Sequence, residues 1–164
     1  MKSNIQPYEF NEIINSLDEN EKKRVNRLHE QAIYLGYVPK ISLLGEKPGN
    51  WKCEYKKKKD VLYILRITND QWSVRCKLFN LAKYNDVLSK CNKHLIETLL
   101  KNSGDCGHHG GGCKGPIEFS IDGKTYLRCR HSFMFTDLLD EDVDNIRDLL
   151  ECENSYYNGQ NISN

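Results

Sequence analysis

The chain has 164 residues and a mass of 19.1 kDa, the length of one domain that buries a core of its own. A mean hydropathy of −0.69, no apolar run as long as a bilayer is thick and no apolar signal core at the N-terminus exclude a membrane protein and point to the cytosol. Thiols stay reduced there, so seven cysteines, an odd number, favour metal ligation over a disulfide framework.

The net charge of +1 conceals an uneven split. Residues 137–164 carry eight carboxylates against one arginine, while the rest of the chain carries 23 basic and 15 acidic residues. Acidic residues gathered at the start of a last helix suit its dipole, and the lysines are read first as a solvated surface.

Residues 1–15 read as a short helix or arm. Ser16-Leu-Asp-Glu19 has the spacing of a capping box and opens a charged helix. Its apolar side is Leu17, Val25, Leu28, Ala32 and Leu35, and Gly36 ends it. Tyr37-Val-Pro39 leads into a loop that closes at Lys47-Pro-Gly-Asn50. Three strands follow. Trp51, Cys53 and Tyr55 alternate with polar residues; Val61 to Ile67 is nearly all apolar, as in a central strand. After the turn Thr68-Asn-Asp-Gln71, Trp72, Val74, Cys76 and Leu78 alternate with Ser73, Arg75 and Lys77. Connections this short make the strands antiparallel. The spacing of Val87, Leu88, Cys91, Leu95, Ile96 and Leu99 predicts one helix over 85–101. Ile117–Ile121 and Lys124–Arg130 pair through the hairpin signal Asp122-Gly123. A final helix is expected from Asp140 to Glu151, and the tail 154–164 reads as disordered. The expectation is a single α+β domain over residues 1–153: an antiparallel sheet with helices packed on it and a metal-stabilised Cys/His loop.

That loop carries the chemistry. Cys106 and His109 form a C-x2-H knuckle, Cys113 follows on the same loop, and Cys129 returns at the end of a hairpin. Zinc takes four thiolate or imidazole ligands in a tetrahedron, and glycines allow the tight turns that converge ligands from one loop. Cys106, His109, Cys113 and Cys129 are the first ligand set for one structural zinc per chain, with His108 and His131 as substitutes. Four protein ligands leave no place for a reactive water, and Asp105 is the nearest candidate base. Cys53 and Cys76 lie on the inward phase of their strands and read as core. Cys91 and His94, three apart, offer a second ligand pair, with core packing preferred for Cys91. Lys56 to Lys59 reads as a solvated hairpin turn, and Arg75, Lys77, Arg128 and Arg130 as the outward phase of strands. P-loop, Rossmann, nucleophile-elbow and kinase signatures are absent from the sequence.

The run Gly36-Tyr-Val-Pro39, Trp51-Lys-Cys-Glu-Tyr55, the cysteine-rich loop, Ile121-Asp-Gly-Lys-Thr-Tyr126, Cys129 and the acidic helix from Asp140 to Leu150 resembles a family of small cysteine-rich bacterial proteins of unknown function, common in clostridia. The centre of the chain is similar to domains with a YjbR-like α+β shape. The family's knuckle is usually C-x2-C, and His109 stands here at its second position. The resemblance implies the fold and no activity. The expected function is that of a zinc-binding module for an unidentified small molecule or macromolecule. Alternatives are a nucleic-acid-associated regulatory protein that uses a basic strand face, and a zinc-dependent enzyme.

Overall fold

A computed structural model describes residues 8–107 and 114–160, with backbone alone for 158–160. The order begins with a one-turn helix α1 (Phe10–Ile13), helix α2 (Glu19–Tyr34) and strands β1 (Val38–Leu43), β2 (Trp51–Lys57), β3 (Asp60–Thr68) and β4 (Gln71–Cys76). A 3-10 turn (Leu81–Tyr84), α3 (Asn85–Leu88), α4 (Lys93–Asn102), β5 (Ile117–Ile121), β6 (Lys124–Arg128), β7 (Met134–Thr136) and α5 (Asp140–Gln160) complete it.

Strands β1-β2-β3-β4-β7 form one antiparallel sheet in that order, and β5-β6 form a separate hairpin. The α+β class and the antiparallel sheet stand as expected; the hairpin does not join the main sheet. One sheet face carries Cys53, Tyr55, Tyr63, Leu65, Ile67, Trp72, Val74 and Phe135, all buried beneath α2 and α5. Tyr63 donates its hydroxyl hydrogen to the Leu28 carbonyl of α2 at 2.8 Å, so the buried phenol is satisfied where the helix crosses. The other phase carries Lys52, Glu54, Ile64, Arg66, Ser73, Arg75, Lys77 and Met134, all half-exposed.

Several elements differ from the sequence reading. The cap of α2 is Asp18 rather than Ser16: its carboxylate accepts from the amides of Asn20 and Glu21, and Glu21 reaches back to the Asp18 amide. The segment after Tyr37 is strand β1, paired with β2 from Val38↔Lys56 to Leu43↔Trp51. Pro39 hides it, yet proline is compatible with an edge strand. The single helix expected over 85–101 is two, α3 and α4, with a break between them. The Asn92 side chain caps α4 by accepting from the Leu95 amide, and Asn145 of α5 holds the Asn92 amide at 2.7 Å, which fixes the break. The helix α5 continues to Gln160, so 154–160 are helical where the sequence suggested a disordered tail. Burial explains this: Glu153 and Asn154 are buried on α5.

Candidate metal centre and the adjoining cationic face

The Cys/His loop leaves α4 at Ser103 and re-enters at Lys114, and both of its ends are fastened to the turn 129–132. At the first end the Cys129 amide donates to the Gly104 carbonyl at 2.8 Å, and the Gly104 amide donates to the Ser132 hydroxyl oxygen at 3.2 Å. That hydroxyl donates in turn to the Cys129 carbonyl at 2.7 Å. Asp105 is ion-paired with Arg128 at 2.9 Å. At the second end the Arg130 guanidinium donates to the carbonyls of Gly115, at 2.8 Å, and Lys114, at 3.3 Å. Residues 104 and 115 are thereby held to one four-residue turn, which carries Cys129 and His131. Arg130 also lies over the Phe79 ring, 5.4 Å from its centroid, with the His131 ring edge-on to Phe79 at 5.6 Å.

Of the expected ligands, Cys106 and Cys129 are half-buried free thiols, Cys106 two residues after the fastened Gly104 and Cys129 in the turn itself, and His131 is exposed. His108, His109 and Cys113 lie outside the described residues. Among the described residues, no three His, Cys, Asp or Glu side chains gather as a metal site.

The other cysteines are placed clearly. Cys53 and Cys76 are core residues; burial raises the Cys53 thiol to about 12 and the Cys76 thiol further. Cys91 and His94 are not a pair. The Cys91 thiol donates to the Val87 carbonyl, while His94 Nδ1 sits 2.7 Å from Asp142. Asp142, 0% exposed, also accepts from the Leu139 amide at 2.7 Å and so caps α5. His29 stacks on Phe10 and bonds the Tyr55 hydroxyl at 2.8 Å.

The outward phase of the sheet adjoins this turn. The Cys76 amide donates to the Phe133 carbonyl at 2.9 Å, joining the end of β4 to the segment after the turn. Lys77 interacts electrostatically with the Cys129 thiol, and its own pKa is lowered by burial and by Arg75. The Arg66 pKa is lowered by the same two causes, and that of His131 by burial, Lys77, Arg130 and Arg75. Arg75 thus neighbours Arg66 and Lys77 on the sheet face, and His131 neighbours Arg75, Lys77 and Arg130, so the five make one cationic cluster. Arg128 is not in it; it pairs with Asp105 and stacks on Tyr126. Arg66 belongs to it although the sequence drew no attention there: its strand reads as a nearly continuous apolar run with one arginine inside.

Compared with protein-family models, curated proteins and solved structures, the chain finds no match in any of the three. No helix among the described residues is long and apolar enough to cross a membrane.

Proposed function

We propose that this chain is a cytosolic binding module whose glycine-rich loop is organised by one structural zinc, held by Cys106, His109, Cys113 and Cys129. The observation that carries the reading is the double fastening of the loop. Gly104 and Gly115 are both hydrogen-bonded to the turn 129–132, so a ligand-bearing loop is closed onto the strand end that bears Cys129. Closing a loop in advance removes chain entropy that metal binding would otherwise have to overcome. Cys129 in that turn, and Cys106 two residues after Gly104, carry thiols, donors of the type zinc prefers. The likeness to cysteine-rich clostridial proteins belongs to the same reading.

A structural role is favoured over a catalytic one. Asp105, the carboxylate nearest the knuckle in sequence, is occupied by Arg128. A closed set of four protein ligands would leave no position for a reactive water.

The test is elemental mass spectrometry on untagged protein, wild type against Cys113→Ser and Cys129→Ser. About one zinc per chain is expected in the wild type. Both variants are expected to lose it and to melt lower, and chelation is expected to lower the wild-type Tm without lowering theirs. Metal-free wild-type protein that does not take up zinc on titration would overturn the reading.

A further inference from the structure

We propose that the outward face of β3 and β4, continued by Arg130 and His131, binds the phosphate backbone of single-stranded nucleic acid. This does not rest on the metal. The sheet face is built by strand pairing, and zinc content and nucleic-acid binding are separately measurable.

The first observation is missing counter-charge. Among the described residues, Arg66, Arg75, Lys77 and Arg130 form no ion pair. Glu54 lies on the same face and acts electrostatically on Lys77, but its ion pairs are with Lys52 and Lys56, at 3.4 and 2.9 Å. The Nε atoms of Arg66 and Arg75 are buried without a hydrogen-bond partner, as are those of Arg128 and Arg147, but the latter two have a carboxylate on their terminal nitrogens. Elsewhere the fold does neutralise its arginines, since Arg24 and Arg27 reach Asp140, and Arg128 reaches Asp105. Like charges crowded together and left unpaired weaken a fold, and such costs concentrate where a ligand supplies the missing charge.

The second observation is spacing. Arg66 stands opposite Ser73 in the β3–β4 ladder, while Arg75 and Lys77 follow Ser73 by two and four residues. Two residues of strand advance about 6.6 Å, so Arg66, Arg75 and Lys77 mark equal steps down the sheet. The steps lead towards the turn that carries Arg130 and His131, which the Cys76–Phe133 bond joins to the end of β4 and whose His131 interacts with Arg75 and Lys77. A row of regularly stepped cations suits a chain of regularly spaced phosphates better than one compact anion.

The third observation selects a single strand. Ile64 and Met134 flank Arg75 in the same row of the sheet and are half-exposed, and Phe79 is half-exposed at the end of the row. Apolar and aromatic surface beside a cationic track accepts unstacked bases, which a duplex keeps inside.

The test is fluorescence anisotropy of the full chain with a labelled oligothymidine of about 12 nucleotides, titrated at several salt concentrations. The slope of log affinity against log salt is expected to be about −2 to −3, near −0.7 for each phosphate engaged. Arg66→Ala combined with Arg75→Ala is expected to weaken binding at least tenfold at low salt and to flatten the slope by about 1.4. Its Tm is expected to equal or exceed that of the wild type, because a repulsion is removed; this excludes misfolding as the cause. Lys124→Ala, on the exposed hairpin, is expected to bind as the wild type. No binding, or an unchanged double variant, would overturn the proposal. So would equal affinity for the matching duplex, or full competition by inorganic phosphate at equal ionic strength.

Discussion

Glu153 ties the last helix to the middle of the chain, and its removal is the sharpest test of how this fold is held. The side chain is 0% exposed on α5. One carboxylate oxygen accepts from the Phe79 amide at 3.0 Å and the Asn80 side chain at 2.9 Å. The other accepts from the Asn80 amide at 3.1 Å and the Tyr84 hydroxyl at 2.6 Å. Four donors from the segment after β4 therefore converge on one anion. Burial and the Glu153 charge hold the Tyr84 phenol far above its ordinary pKa, so it remains a donor. Hydrogen bonds to a charged group contribute about 1.5–3 kcal/mol each, but the four share one acceptor group, and the half-exposed Phe79 and Asn80 can turn to water. Glu153→Ala is accordingly expected to cost about 3–5 kcal/mol. Glu153→Gln keeps the shape but accepts through one oxygen only and turns an amide N–H2 towards two donors, for about 2–3 kcal/mol. The assay is urea denaturation followed by fluorescence of Trp72, 9% exposed in the core and hence sensitive to unfolding. At roughly 2–4 °C per kcal/mol, the alanine variant is expected to melt about 6–20 °C lower. The exposed neighbour Glu151→Ala is the control, expected within about 0.5 kcal/mol of the wild type. A Glu153→Ala loss below about 1 kcal/mol would refute the reasoning, because the buried Tyr84 hydroxyl and three part-buried donors cannot lose a shared anion at so little cost.

Two further substitutions probe the packing of α2 and α5. Burial lowers the His29 pKa below 6.5, so the unfolded chain binds the proton first. That part of the stability is whole above about pH 6.5 and is lost as pH falls towards the lower folded value. His29→Phe is expected to flatten this region of the profile, measured as urea midpoints at about pH 7.5 and 5.5; a wild-type slope in the variant would exclude His29 as its source. Asp142→Ala removes the cap of α5 and the partner of His94, for about 1–3 kcal/mol by the same denaturation assay, whereas the exposed Glu141→Ala is expected to be near neutral. Equal effects from both would show that Asp142 acts only as a first-turn charge.

Local chemistry was enough to define much of this molecule. Alternation at Trp51–Tyr55 and Trp72–Cys76, the apolar run to Ile67 and the turn at Asp122-Gly123 each state a strand or hairpin within a few residues, because pleat and turn geometry act over that range. What depended on distant partners stayed hidden. Strand β1 exists because β2 offers it a ladder, and the helix over 85–101 breaks because Asn145 captures Asn92. The residues 154–160 stay helical where burial of Glu153 joins α5 to the segment after β4. The cationic cluster is the clearest case. The residue spacing names Arg75, Lys77 and Arg130, but sheet register alone brings in Arg66, and a long-range ion pair with Asp105 takes Arg128 away. Sequence periodicity fixes which face of an element a side chain takes; which charges meet across that face is decided when strands remote in sequence align, and that requires the whole fold.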